Sequence, residues 1–304
     1  MTTLIVLFIT FWLIRLLKIE VPLDKVAAQI QEQRREALGY NKPILVQFWR
    51  WISHLVRGDW GTSYFIEKLV PVSDIIKRRL VPTVTINIYS EVLIIPLGIL
   101  LGIFAATKKN KWQDHVINTG VMMFMTVPSF VMCFLWMYIL CYRLGWFPMQ
   151  IYSLSESGGW FTGKMLYSMV PGILALTLGN IASLARQVRA ELTDQIEADY
   201  MLLARAKGLT YRQAIYKHSL KNAFIPIFPG IIAGFLGLFA GSFFVENIFG
   251  IPGIGKLTLQ ALNTYDYDVF MSCEAFYGII GMLATIIYDI SFGIIDPRIK
   301  MGAR

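Results

Sequence analysis

The sequence predicts an all-α, polytopic membrane protein of about six transmembrane helices, with amphipathic helices on its external side. Three observations carry that reading. Of the 304 residues 56% are apolar and only 16% charged, an apolar share well above that of a soluble domain. Apolar runs of about 20 residues, enough to cross about 30 Å of hydrocarbon at about 1.5 Å per residue, recur along the chain. Finally, a polar, basic, helix-forming stretch from Glu197 to Pro226 is wedged between two such runs, where a hydrophobic chain keeps it in water only for contact with something else.

The first apolar run, Thr2 to Leu17, is marginal and carries Arg15 near its end, so it is expected to be a first span shortened at its start. A cleaved signal peptide fits less well, because no basic segment precedes the run and no small-residue cleavage pattern follows it. Residues 18–80 form an external segment. Within it, Ile44, Phe48, Ile52 and Leu55 share one helical stripe between Pro43 and Arg57, with Leu45, Trp49 and Val56 beside it. The rings of Trp49 and Trp51 favour a bilayer interface, while ordinary packing on the transmembrane core fits the pattern equally. Gly58-Asp59-Trp60-Gly61 breaks this helix, and Pro71 precedes a second short helix ending at Lys77-Arg78-Arg79. Residues 81–304 hold the remaining five spans: Val81–Thr107, Val116–Cys141, Leu166–Leu184, Phe224–Phe244 and Ala275–Ile295. A hydrophilic loop at 185–223 separates the fourth and fifth spans.

Basic residues report orientation. The net charge of +8 is dispersed over loops rather than gathered on one face, which argues against nucleic acid. With both ends inside, the short internal loops (Lys108 to Lys111, Arg186 to Lys221, Arg298 to Arg304) hold thirteen Lys and Arg. The short external loops hold three: Arg143, Lys164 and Lys256. This is the positive-inside bias, from which the long segment before Arg79 is exempt. Cys133, Cys141 and Cys273 give neither a disulfide framework nor a metal pattern, and His54, His115 and His218 lack ligand spacing, so no metal is assigned.

Small and polar residues form stripes inside the spans. Gly230, Gly234, Gly237 and Gly241 recur at i, i+4, i+7 and i+11, a face on which a second helix can approach closely. In the second span Asn87, Glu91, Ile94, Gly98 and Gly102 share a face. Left against lipid, Glu91 would cost about 2.5 to 3.5 kcal/mol, so that face points at protein or water. A pathway lining, with Asn87, Glu91 and Gly98 as its candidates, and a structural hydrogen bond to a neighbouring helix satisfy this equally.

The hydrophilic loop reads as a helix, an interruption at Lys207-Gly208-Leu209-Thr210, and a second helix carrying Ile215, His218 and Leu220. Such a projecting element suits docking into a groove of a soluble partner, apolar anchors giving affinity and the basic rim orientation. A basic loop held by anionic lipid is the simpler alternative.

Asp199-Tyr200, Ala204-Arg205-Ala206-Lys207-Gly208-Leu209, His218, Leu220, Asn222-Ala223 and Pro226 resemble the EAA loop of ABC importer permeases, in the version found in the peptide and nickel transport family. Before the loop, Leu38-Gly39, Lys42-Pro43, Gln47, Trp51, Arg57-Gly58-Asp59, Gly61 and Ser63 resemble the external segment of that family's first permease subunit. After it, Glu246, Phe249-Gly250, Pro252-Gly253, Gly255 and Asp296-Pro297-Arg298-Ile299 resemble its closing stretch. Two departures stand out. Leu202 and Leu203 occupy positions where the general consensus has an acidic residue and an alanine, and Lys18-Ile19-Glu20-Val21-Pro22 replaces the usual Pro-Gly-Asp-Pro entry.

The resemblance implies a MetI-like permease core and an ATP-driven, binding-protein-dependent importer that alternates between inward-open and outward-open states. It further implies a second homologous permease subunit, two cytosolic ATPase subunits that carry the ATP and magnesium, an extracytoplasmic substrate-binding protein, and a place in a bacterial or archaeal plasma membrane. The chain's own Gly250 to Lys256 stretch fits G-x-x-x-x-G-K. Leu257 nevertheless stands where a Ser or Thr would reach magnesium, and no strand precedes it, so Gly253 and Gly255 read as turn residues and no catalytic residue is assigned. The rival class, an ion-coupled secondary transporter or channel, would call for several intramembrane ionisable groups or broken helices in matching halves, whereas only Glu91 and Asp289 qualify. An intramembrane enzyme lacks a nucleophile–base pair. Oligopeptides, dipeptides, nickel complexes and some glycan or opine-like solutes all remain compatible with the family.

Overall fold

The computed structural model describes residues 2–17, 21–39 and 42–295, and these are helical with no strand among them. The expected entry Lys18-Ile19-Glu20 and the closing Asp296-Pro297-Arg298-Ile299 lie outside the described residues. The chain divides into two compact units. One takes the chain up to Val84, Phe239–Asn247 and Ile251–Met282, and the other takes Thr85–Leu238, Ile248–Gly250 and the chain from Leu283.

In the first unit, α1 (Thr2–Arg15) is 14 residues long and spans about 21 Å, short of a full crossing on its own. The helix α2 (Lys25–Leu38) is capped at its start by the Asp24 carboxylate, which accepts from Val26 N–H, and is stopped by Gly39 at φ +73°. Phe48 and Trp51 of α3 (Ile44–Val56) pack against Phe11 of α1, the first edge-on and the second tilted, with ring centroids 5.6 and 5.7 Å away. Trp51 is therefore a core residue, 5% exposed, rather than an interfacial one, while Trp49 points outward at 59%. The predicted short helix ending at Arg79 does not end there: α4 runs unbroken from Val72 to Thr107. No left-handed glycine supplies a stop, and Arg78 reaches back to Glu67 at 2.6 Å instead of closing a terminus.

Behind α4, the helices α12 (Phe243–Ile248), α13 (Ile254–Asn263) and α14 (Tyr267–Ile295) follow. Asp266, immediately before α14, is buried, and one of its oxygens accepts from Ser63 Oγ at 2.6 Å and from the N–H groups of Tyr64, Phe65 and Ile66 at 3.0 to 3.2 Å. Four donors on one oxygen pin the external loop to the root of α14. Asp266→Ala should therefore cost about 2 to 3 kcal/mol by orphaning buried N–H groups, read as a lower thermal midpoint of the protein in detergent. Nearby, Arg34 joins Asp59 (3.0 Å) to Asp268 (2.7 Å). Partial burial pulls the Asp59 carboxyl up, but Arg34, the Gly61 N–H and the His54 ring outweigh it and hold it below the usual carboxylate range. Its contribution to stability is therefore present above the ordinary carboxylate pKa and fades as pH falls through the lowered one.

The glycine-rich loop before α13 is a close-packing device. A Cβ on Gly253 would collide with the Glu246 carboxylate and the Thr83 hydroxyl, and one on Gly255 would meet the Ser242 backbone at 2.9 Å. Glu246 is fully buried and accepts from Thr83 Oγ1 (2.8 Å) and from the Lys256 N–H (2.9 Å) in the first turn of α13. Gly253 and Gly255 are thus contact glycines at a helix start and not turn formers; the left-handed turn is at Gly250, φ +74°. An acid already fills the place that an anion would take at this helix N-terminus.

The second unit is built on α8 (Gly163–Glu197), against which α5 (Trp112–Thr126), α6 (Ser129–Trp136) and α11 (Leu220–Gly234) pack. The apolar run Val116–Cys141, predicted as one span, is instead bent by 101° between α5 and α6. Pro128 forces Val127 out of the helical region, to ψ 122°, and α6 passes into a π-helical turn over Met137–Arg143. A short α7 (Leu154–Ser157) precedes α8. The run Phe224–Phe244 is likewise interrupted: α11 tightens into a 3-10 turn over Phe235–Phe239 and the chain opens before α12. Four helical stretches among the described residues are long and apolar enough to cross a membrane, and the bent α5–α6 pair makes a fifth.

Candidate functional site

Two features of the second unit bear on function, a polar cleft among the spans and a hydrophilic elbow beyond α8. The cleft has a volume of about 450 Å³ and is walled by Asn87, Ser90 and Glu91 of α4, by Asn180, Ser183 and Gln187 of α8, and by Gly230, Gly234 and Gly237. Asn87 donates through Nδ2 to the Leu238 carbonyl at 2.9 Å, satisfying a backbone acceptor that the 3-10 turn frees. Glu91 has neither an ion-pair nor a hydrogen-bond partner among the described residues.

The geometry exchanges the two glycine sets. Gly98, a pathway candidate from its sequence face, is buried against Leu184, whose Cβ lies 2.9 Å from where a Gly98 side chain would start. Gly102 meets Val188 and the Ala185 carbonyl in the same way, so α4 and α8 touch at these two positions. By contrast Gly230, Gly234 and Gly237, read as a packing stripe, have nothing among the described residues within 4 Å of an added Cβ and form a bare backbone wall of the cleft. Gly241 alone of that stripe is tightly packed, beside Gly255 and Tyr277 in the first unit. A sequence face shows which residues share a side of a helix but not which neighbour comes to it, and here that information was lacking.

The elbow forms because α8 stops at Ala198, which turns extended (ψ 146°), and α9 (Asp199–Ala206) starts at once. Lys207 to Thr210 make the turn, with Gly208 at φ +89°, a conformation costly for any residue with a Cβ. Thr210 and Gln213 cap α10 (Tyr211–Ala214) reciprocally, and a π-helical turn over Ile215–Ser219 leads into α11. Met201 and Ala204 anchor α9 inward against Ala214, Ile215, Ala223, Leu192 and Ala106. Tyr200 binds Gln195 through its hydroxyl at 2.8 Å.

The other predicted loop residues stay at the surface: Asp199, Arg205, Ala206, Lys207, Gly208 and His218 are exposed, and Leu209, Leu220 and Asn222 half-buried. Lys207, Lys217, His218 and Lys221 ring a recess floored by Tyr200, Leu203 and Leu209. Sequence reasoning passed over Leu202 and Leu203, noted only as departures from a consensus, yet they are 70% and 58% exposed beside this basic rim. Their signal was available, as two adjacent leucines in a water-facing helix. It also missed Asp114, 75 positions from Arg189, which holds that guanidinium by two bonds of 2.6 and 2.7 Å.

Spans of this length, a polar cleft between them and a projecting basic elbow define a membrane-transport subunit. Residues 98–301 match the family described as binding-protein-dependent transport system inner membrane component. The chain belongs to that family, as the membrane-spanning permease component of an ABC importer. It is 31% identical over 88% of its length to a probable peptide ABC transporter permease protein of Sinorhizobium fredii, covering 83% of that protein. It is 30% identical over 98% of its length to a putative peptide transport system permease protein of Brucella abortus, covering 94% of it. A glutathione transport system permease protein of Salmonella paratyphi A is 33% identical over 90% of this chain and 85% of its own length. Among solved structures, an inward-facing MetNI methionine ABC transporter superposes with a TM-score of 0.55 at 16% identity, covering 73% of this chain and 95% of that one, which shows a shared fold.

Proposed function

We propose that this chain forms half of the membrane pathway of an importer for peptides or related small solutes, with the elbow 199–209 as the part gripped by cytosolic ATPase subunits. Two such ATPases, a second homologous permease and an extracytoplasmic substrate-binding protein complete the assembly. Both termini and the elbow face the cytoplasm, as the distribution of Lys and Arg favours. ATP and magnesium reside on the partners, and closure of the ATPases shifts the spans from inward-open to outward-open packing. Asn87 and Glu91 line the path, and Gly98 holds α4 to α8 beside it. The printed names of the relatives, peptide and glutathione permeases, support the substrate class.

The observation that carries this reading is the exposure of Leu202 and Leu203 on a short, rigid helix flanked by Arg205 and Lys207. Two leucines in water cost about 1.5 to 3 kcal/mol each relative to burial, a cost removed when a groove covers them. Leu203→Asp should leave the chain in the membrane but release the ATPase subunits during purification, measured by co-elution in detergent. Full retention of the ATPases together with normal ATP-driven uptake would sink the docking role.

A further inference from the structure

The cleft has a sign. Its polar lining consists of the neutral groups of Asn87, Ser90, Asn180, Ser183 and Gln187, and one ionisable group, Glu91. Among the described residues, no Lys, Arg or His lines it. Of the two guanidinium groups on α8, Arg189 is held by Asp114 through two bonds, and Arg186, exposed three residues beyond Ser183, is not among the residues that line the cleft. Glu91 lies ten residues into the apolar part of α4, about 15 Å along it, near the middle of a crossing.

An unpaired carboxylate at that depth costs about 2.5 to 3.5 kcal/mol unless water or a cation serves it. Opposite it, Gly230, Gly234 and Gly237 put up no side chains, so a solute can approach the wall closely. A single charge in a ring of neutral amides and hydroxyls attracts a cation without holding it firmly, as a route that must also release its passenger requires.

We propose that the cleft is selective for solutes bearing a positive charge, above all a free ammonium group, and that Glu91 is the residue that draws this group into the path. The proposal rests on the reading of the cleft as the translocation route.

The test uses membranes carrying the whole transporter, with a reporter thiol at Ser183→Cys on the cleft wall. Two methanethiosulfonate probes of similar size are compared, one ending in trimethylammonium and one in sulfonate. Their rates are normalised to a free thiol in solution, and protein with Ser183 intact serves as the blank for the buried native cysteines. With Glu91 present, the cationic probe should react faster. Glu91→Gln should lower the cationic-to-anionic rate ratio by about threefold to tenfold, as removal of one charge lining the same cleft predicts, and Glu91→Asp should keep most of it.

Equal normalised rates in the Glu91 protein, a ratio insensitive to Glu91→Gln, or a thiol at 183 unreactive to both probes would each overturn the proposal. The second of these is the result expected if a basic group of the second permease neutralises Glu91. The first comparison needs no change at 91, so a Glu91→Gln protein that fails to assemble does not protect the idea. ATP-driven uptake measured in the same membranes reports on the importer reading separately.

Discussion

Asp114→Ala should lower the stability of the assembled protein by about 3 kcal/mol, the low end of the range for breaking a buried ion pair from one side, since Arg189 is partly exposed. The side chain of Asp114 is 2% exposed and has all its acceptor capacity in use: both Arg189 bonds, the Asn110 N–H at 3.0 Å and the Asn118 amide at 2.9 Å. Removing it leaves the Arg189 side chain, 25% exposed, without its carboxylate, and frees the backbone N–H of Asn110, which sits at φ +61°. Adding Arg189→Ala should recover part of the loss, because the second change removes the orphaned charge. The thermal midpoint in detergent would therefore rank wild type above the double variant, and the double variant above Asp114→Ala. If the single and double variants melt together, the pair is not coupled as described.

Gly208→Trp should lower uptake about tenfold or more while leaving the chain in the membrane. Two effects are superposed there and can be separated. Any L residue at φ +89° pays about 1 to 2 kcal/mol of backbone strain. Since nothing among the described residues lies within 4 Å of an added Cβ, the first atom of a side chain meets no obstacle there. Gly208→Ala thus carries the strain without the bulk and should keep most of the uptake. The indole adds a bulk that only a docked partner would feel. A weakening of docking by about 1.4 kcal/mol is a factor of ten in the equilibrium, so uptake per ATP hydrolysed should fall about tenfold or more. Equal behaviour of the alanine and tryptophan variants would show that the turn, and not a partner's surface, sets the effect.

The parts of this fold that were legible in the sequence are those governed by local or one-dimensional rules. The apolar runs mark the helices because composition alone decides whether a segment suits hydrocarbon. The helix–turn–helix of the elbow is written in the interruption at Lys207-Gly208-Leu209-Thr210. What escaped were contacts between distant segments. Trp51 looks like an interfacial residue until Phe11 is placed against it. Gly98 and Gly230 are indistinguishable as letters, and only the arrival of Leu184 at one and of nothing at the other separates their roles. The bend at Pro128 was readable in principle, but it sits in a run so apolar that hydropathy masks it.

Glu246 leaves a last consequence. The one stretch of this chain spaced like a nucleotide cradle is plugged from within by its own acid, bonded to the very N–H a phosphate oxygen would need. A triphosphate arriving there would meet repulsion in a space already taken, so the spacing from Gly250 to Lys256 serves to seat the first turn of α13 against Glu246 and offers no room for a phosphate.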